Sequence, residues 1–255
     1  MRRRPARSRT FASDSTQRCS KARRSRGSVG FRRPAGASLH HATLFATAED
    51  VVEGPSPCDA MPADAVGLHV FAPGGTPLRL EPGVGLELPS GTRRLLVEAH
   101  ALRTATSAPE PTSAEICTLA EPPARLAALL GVTAPVPAIR PRHEEQSIGR
   151  CRLEAPFRLI STWPHMHRVG KAFHGSVLRL DGSRTPLVDI ARWDFESQRT
   201  YPLDLQAGAG EVLETGCIWQ NPGDEYVLPG ILSSNEMCNQ VLIGWPAEAA
   251  HCAIE

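Results

Sequence analysis

A chain of 255 residues, 41% hydrophobic and 22% charged, is long enough for one large all-β domain or two ordinary ones, and its balance is that of a soluble globular protein. Its apolar runs fall well short of the roughly 18 residues a spanning helix needs, so no membrane span is expected. The net charge of +1 averages two unlike parts: residues 1–33 carry 12 of the 28 Lys and Arg with Asp14 as their only acid, and the remainder is acidic by about ten charges.

Residues 1–37 read as a disordered basic arm, Ser-rich and too poor in apolar surface to offset the entropy of ordering. The arm has no aromatic interleaving and no motif, and an acidic body follows it, so no nucleic-acid partner is expected. A transit-like leader or a start placed upstream of the true one are plainer readings. No apolar signal-peptide segment follows the arginines.

Residues 38–145 hold short apolar runs broken by Gly and Pro: LHHATLF, GLHVFAP, GVGLEL and RRLLVEAHAL. The tail of this section is rich in Ala, Pro, Thr and Glu and reads as a linker. Within it Pro122–Leu130 suits a short helix, which the prolines of PAPVPAIRPR would stop. Residues 146–255 contain FRLIST, SVLRLD, LVDIAR, EVLETGCIW, EYVLP and NQVLIGW, strand-length runs separated by the turn signals DGS, AGAG and NPGD. Strands spaced about ten residues apart without helical periodicity predict β-sandwiches or jelly rolls, two in tandem.

Chemistry concentrates in the histidines. His165 and His167 flank Met166 straight after a strand-like run, and on a strand residues i and i+2 share a face, so two imidazoles can converge on one metal. Satisfied or exposed histidines are the plainer reading. His40, His41 and His100 form a second candidate cluster. Adjacent strand residues face opposite ways, so His40 and His41 meet one metal only at a bulge or bend. His69, His143, His174 and His251 have no spacing logic and read as surface or packing residues. Seven cysteines without a CxxC pair argue against a zinc ribbon and for disulfides in an oxidising compartment.

Taken together, HMHRVGKAF (165–173), WDFESQRTY (193–201), CIWQN (217–221) and SSNEMC (233–238) resemble the second domain of the copper type II, ascorbate-dependent monooxygenases, the dopamine β-monooxygenase and peptidylglycine α-hydroxylating monooxygenase family. HHATLF (40–45), HVFAPGG (69–75), RLEPGVGLEL (79–88) and LLVEAHA (95–101) are similar to its first domain, in the family's order. The resemblance covers about 38–255 and implies two tandem jelly-roll β-sandwiches, 38–145 and 146–255, each holding one copper. His40, His41 and His100 resemble the ligands of the electron-supplying copper. His165, His167 and Met237 resemble those of the copper where oxygen and substrate meet. The resemblance pairs Cys217 with Cys238 and Cys151 with Cys252; Cys19 with Cys58 is a plausible third pair, and Cys117 lacks the partner that an earlier strand supplies in relatives.

The activity so implied is insertion of one oxygen atom of O2 into a substrate C–H bond, with ascorbate or another reductant supplying electrons. An extracytoplasmic location follows from the disulfides and the family. Two departures restrict the small-molecule substrate. Peptide-hydroxylating members hold a carboxylate with an Arg two positions before the HxH pair and a Tyr four after the Met; Trp163 and Val241 stand there instead, and neither pairs with a carboxylate. The alternative is a non-catalytic β-sandwich relative, binding copper or another ligand, with a degenerate first domain.

Overall fold

Alternating side chains cut at short intervals by Gly and Pro produce strands throughout the computed structural model. It describes residues 122–254 continuously and, ahead of them, 9–11, 28–32, 39–52, 54, 56–57, 61–72, 77–88, 90–101, 113–117 and 119. Among the described residues there is no α-helix, only a 3-10 turn at Ala247–Ala249. The chain divides into two units, Met1–Ala127 and Ala128–Glu255.

The first unit holds β1 (Arg9–Phe11), β2 (Ser28–Arg32), β3 (Leu39–Thr47), β4 (Ser56–Pro57), β5 (Val66–Phe71), β6 (Leu78–Arg79), β7 (Val84–Leu86), β8 (Arg94–Ala101) and β9 (Ser113–Cys117). One sheet runs β4-β1-β8-β3-β5 and a smaller one runs β6-β2-β9. Two of these strands lie inside the segment expected to be a disordered arm: β1 pairs antiparallel with β8, and β2 with β9. Thr10 with Phe11, and Val29 with Phe31, supply β-branched and aromatic residues that are scarce in the rest of the arm.

β10 (Arg125–Thr133) crosses the division and corrects a second expectation, because the segment given to a short helix is a strand. Arg125–Ala127 pair in parallel with β7, and Ala128–Thr133 pair antiparallel with β17 (Asn239–Trp245). A Leu- and Ala-rich run gains only tenths of a kcal/mol per residue from helix propensity. Ladder pairing along the whole strand, with Leu130 and Val132 in the core, outweighs that.

The second unit is a β-sandwich. β11 (Glu144–Leu153), β12 (Phe157–His165), β13 (Gly170–Leu178), β14 (Arg184–Ile190), β15 (Tyr201–Ala207), β16 (Val212–Gln220), β17 and β18 (Cys252–Ile254) complete the strand set. One sheet has the order β15-β12-β17-β10, the other β14-β13-β16-β11-β18. Leu159 of β12, Leu242 of β17, Leu153 of β11, Val177 of β13 and Leu213 of β16 meet in the core between them. A second apolar cluster, Ile139, Met166, Phe173, Cys217, Trp219 and Cys238, occupies the end where the histidine pair lies. The run EYVLP does not form a strand; Val227 and Pro229 make single bridges, to Ile139 and Glu236.

Candidate metal centre

His165 ends β12, a strand buried on both faces from Ser161 onward, and His167 follows in the turn toward β13. The two residues are 5% and 1% exposed, which removes the exposed half of the plainer reading and leaves its satisfied half standing. Burial then requires partners for their ring nitrogens. His165 Nδ1 lies 2.6 Å from Gln198 Oε1, and His167 Nδ1 lies 3.0 Å from the carbonyl oxygen of Asn235. Gln198 is oriented by its own amide, whose Nε2 donates to the carbonyls of Met166 and Phe195 at 3.3 and 3.1 Å. Both acceptors are therefore oxygens, both Nδ1 atoms carry the hydrogen, and the ring lone pair sits on Nε2 in each case. The two rings meet edge to face with centroids 5.0 Å apart.

Aromatic side chains enclose the pair. Trp163 stacks on His165 at 4.8 Å, and Phe195 meets the His167 ring edge on at 6.3 Å. Trp193 Nε1 donates to the His167 carbonyl at 3.2 Å. Gly170 leaves room for that indole, since a Cβ there would lie 2.7 Å from Trp193 Cδ1 and 3.2 Å from the His167 oxygen. Between the histidines, Met166 points into the apolar cluster and is fully buried.

Met237 arrives at the same sheet end by a separate route. Asn239, the first residue of β17, is the cross-strand partner of His165, and its Nδ2 lies 3.4 Å from the Met237 sulfur. The disulfide Cys217–Cys238, Cα atoms 6.0 Å apart, fixes the neighbouring position to β16. Cys151–Cys252 joins β11 to β18, with a Cα separation of 5.3 Å. Glu236, 1% exposed, accepts hydrogen bonds from the main-chain N–H groups of His167, Val169 and Met237 and from the Trp219 indole. Burial pushes the Glu236 carboxyl up from its ordinary value, and those four donors oppose the push.

In the first unit, β3 and β8 place His41 and His100 as direct cross-strand partners. The register shifts between Leu39 and His41, so His40 sits at the irregularity that a shared site for adjacent histidines requires. The side chains of His40 and His100 lie outside the described residues, as do Cys19, Cys58 and the Cys117 side chain. Among the described residues, no group of three or more His, Cys, Asp or Glu is arranged to hold a metal.

The remaining histidines divide as their lack of spacing suggests. His143, His174 and His251 are exposed, and His174 pairs with Asp189. His69 is buried on β5, and burial pulls its pKa down to about 4. Sequence reading missed the supporting roles of Gln198, Asn235 and Glu236, although their motifs were in view. No local signal marks them, since Gln198 is flanked by Ser197 and Arg199, and Asn235 and Glu236 follow Ser233 and Ser234.

Residues 125–254 match the family described as copper type II ascorbate-dependent monooxygenase, C-terminal domain. No curated protein matches the chain. Solved structures that match include the infectious bursal disease virus VP2 subviral particle, at 10% identity and a TM-score of 0.25 over 90% of this chain and 58% of that one. The infectious bursal disease virus Gt strain matches at 9% identity and a TM-score of 0.24, over 97% and 59%. The chain thus spans less than two thirds of either structure, and likeness at that level carries no argument about fold or function.

Proposed function

We infer that this chain, which belongs to the copper type II ascorbate-dependent monooxygenase family through residues 125–254, is a copper-dependent monooxygenase hydroxylating a C–H bond of a small molecule with O2 and a reductant such as ascorbate. The observation that carries the reading is the buried pair His165 and His167, each with Nδ1 taken by an oxygen acceptor and its lone pair on Nε2. The donor chemistry fits the family's metal. Imidazole suits copper, a thioether is a soft ligand that favours Cu(I), and methionine is a poor zinc ligand.

His165, His167 and Met237 would hold the copper at which oxygen and substrate meet; His40, His41 and His100 would hold the electron-supplying copper. Copper, when bound, supplies the activation of O2 that no protein side chain provides. The chain's residues orient and enclose. Gln198 and the Asn235 carbonyl fix the two rings, while Trp163 and Phe195 keep water from them. The register shift at His40 supports the first set.

Trp163 and Val241 are cross-strand partners, and neither can pair with a carboxylate, which argues for an apolar substrate rather than a glycine-extended peptide. Tandem jelly rolls and an extracytoplasmic setting complete the reading. The two disulfides are compatible with that compartment.

Copper per chain, measured after reconstitution and desalting, tests this directly. Two equivalents, with oxygen uptake on adding ascorbate and an apolar substrate, are expected. One equivalent, lost in His165→Ala but kept in His100→Ala, overturns the enzyme reading in favour of a non-catalytic copper-binding relative. Met237→Leu is expected to weaken copper binding and erode its selectivity over zinc.

A further inference from the structure

The carboxylate of Glu236 is buried among neutral N–H donors: Oε1 accepts from Val169 N at 2.8 Å, and Oε2 from His167 N at 3.0 Å, Trp219 Nε1 at 3.1 Å and Met237 N at 3.3 Å. Burying a carboxylate is costly, and a purely apolar filler would pack against Trp219 without that cost. What the carboxylate does instead is tie two separate pieces of chain to one point. One piece is the turn after β12, from His167 to Val169. The other is the lead into β17, from Asn235 to Met237.

His167 is held twice by consecutive residues of that second piece, at its ring by the Asn235 carbonyl and at its main chain by Glu236. Met237 follows immediately, and its N–H shares the same oxygen as the N–H of His167. One acceptor atom is thus common to the main chains of His167 and Met237, beside the Asn235 carbonyl that holds the His167 ring. A carboxylate suits this place because both its oxygens only accept, whereas a carboxamide turns an NH2 toward an N–H donor on one side.

We propose that Glu236 is a positioning residue of the metal centre, coupling the His167 turn to the Met237 segment so that imidazole and thioether reach one copper together. The proposal rests on the assignment of His165, His167 and Met237 as ligands. It concerns a residue that touches neither metal nor substrate and acts through the main chain of two that do. Outer-shell partners of this kind typically alter metal affinity 10- to 100-fold.

The test uses the full-length chain loaded with Cu(I) alone under anaerobic conditions. Cu K-edge X-ray absorption of the wild type and of Met237→Leu isolates the sulfur contribution of Met237 by difference. Glu236→Gln is expected to keep the Cys217–Cys238 disulfide and its circular dichroism, to lose the sulfur shell as Met237→Leu does, and to bind Cu(I) about 10- to 100-fold more weakly in chelator competition. A Glu236→Gln spectrum and affinity equal to wild type overturns the proposal while leaving the ligand assignment intact. Identical spectra for wild type and Met237→Leu overturn the ligand assignment, and the proposal with it. If Glu236→Gln does not fold, Glu236→Asp, acceptor-only but one methylene shorter, takes its place. A weakened sulfur shell there supports the proposal, and an unchanged one overturns it.

Discussion

Single atoms decide whether the two imidazoles of the second unit can serve a metal. Gln198 donates through Nε2 to two carbonyls, which leaves its oxygen for His165 Nδ1 and fixes the ring's tautomer and tilt together. Gln198→Leu removes that acceptor while keeping the side chain's approximate bulk. It is expected to lower copper affinity about 10- to 100-fold in chelator competition. Gln198→Glu retains an oxygen acceptor toward His165 and should bind copper more tightly than the leucine variant. Equal affinity in all three proteins would mean that the tautomer is set elsewhere. His167 needs no side chain for the same purpose, because its acceptor is a main-chain carbonyl.

Strands and their connections carry those atoms to one place. The turn from β12 to β13 closes at Gly170, where a methyl group would displace Trp193 from the His167 carbonyl. Gly170→Ala is therefore expected to destabilise the second unit by about 1–3 kcal/mol, the usual range for overpacking. Urea unfolding followed by tryptophan fluorescence would measure it, and the loss should be accompanied by weaker copper binding. A buried polar tie steadies the opposite side of the same strand: Thr215 Oγ1 donates to Gln240 Oε1 at 2.7 Å, and Gln240 Nε2 donates to Thr162 Oγ1 at 2.9 Å. That chain links β16 in one sheet to β17 and β12 in the other, three residues before His165.

Over the whole chain, covalent closure and protonation set the conditions under which the fold persists. The disulfides close loops of 21 and 101 residues, which chain-entropy arguments value at about 3 and about 5 kcal/mol. Reducing both should lower the thermal midpoint of the second unit by about 10 °C or more. A calorimetric trace unchanged by dithiothreitol would contradict that. In the first unit, His69 is buried with its pKa pulled from 6.5 to about 4 by the cost of burying its charged form. The unfolded chain therefore binds a proton that the folded one refuses. Stability from this source is complete above pH 6.5 and falls by up to about 3 kcal/mol as the pH drops to 4. Urea midpoints taken across that interval should decline in the wild type and decline less in His69→Leu.

Periodicity and turn residues, which are local properties, were enough to read an all-β chain with β3, β5, β8, β12, β13, β14, β16 and β17 near their observed places. The i, i+2 spacing of His165 and His167 does not carry strand alternation into the structure, because His165 ends β12 and His167 lies in the turn that follows. β10 was misread as helix because its propensity is helical and only its partners β7 and β17 make it a strand. EYVLP failed in the opposite sense: its residues favour a strand, but among the described residues it makes only single bridges, to Ile139 and Glu236. The strands β1 and β2 in the basic arm are legible only through β8 and β9, against which they pair. Glu236 and Gln198 were present in recognised motifs without any visible role. A buried polar side chain takes its meaning from the donors and acceptors that surround it, and those come from residues distant in sequence. The two imidazoles and the thioether were written in the residue types, while the ring tautomers, the aromatic enclosure and the Glu236 oxygen shared by the His167 and Met237 N–H groups were decided by the tertiary structure alone.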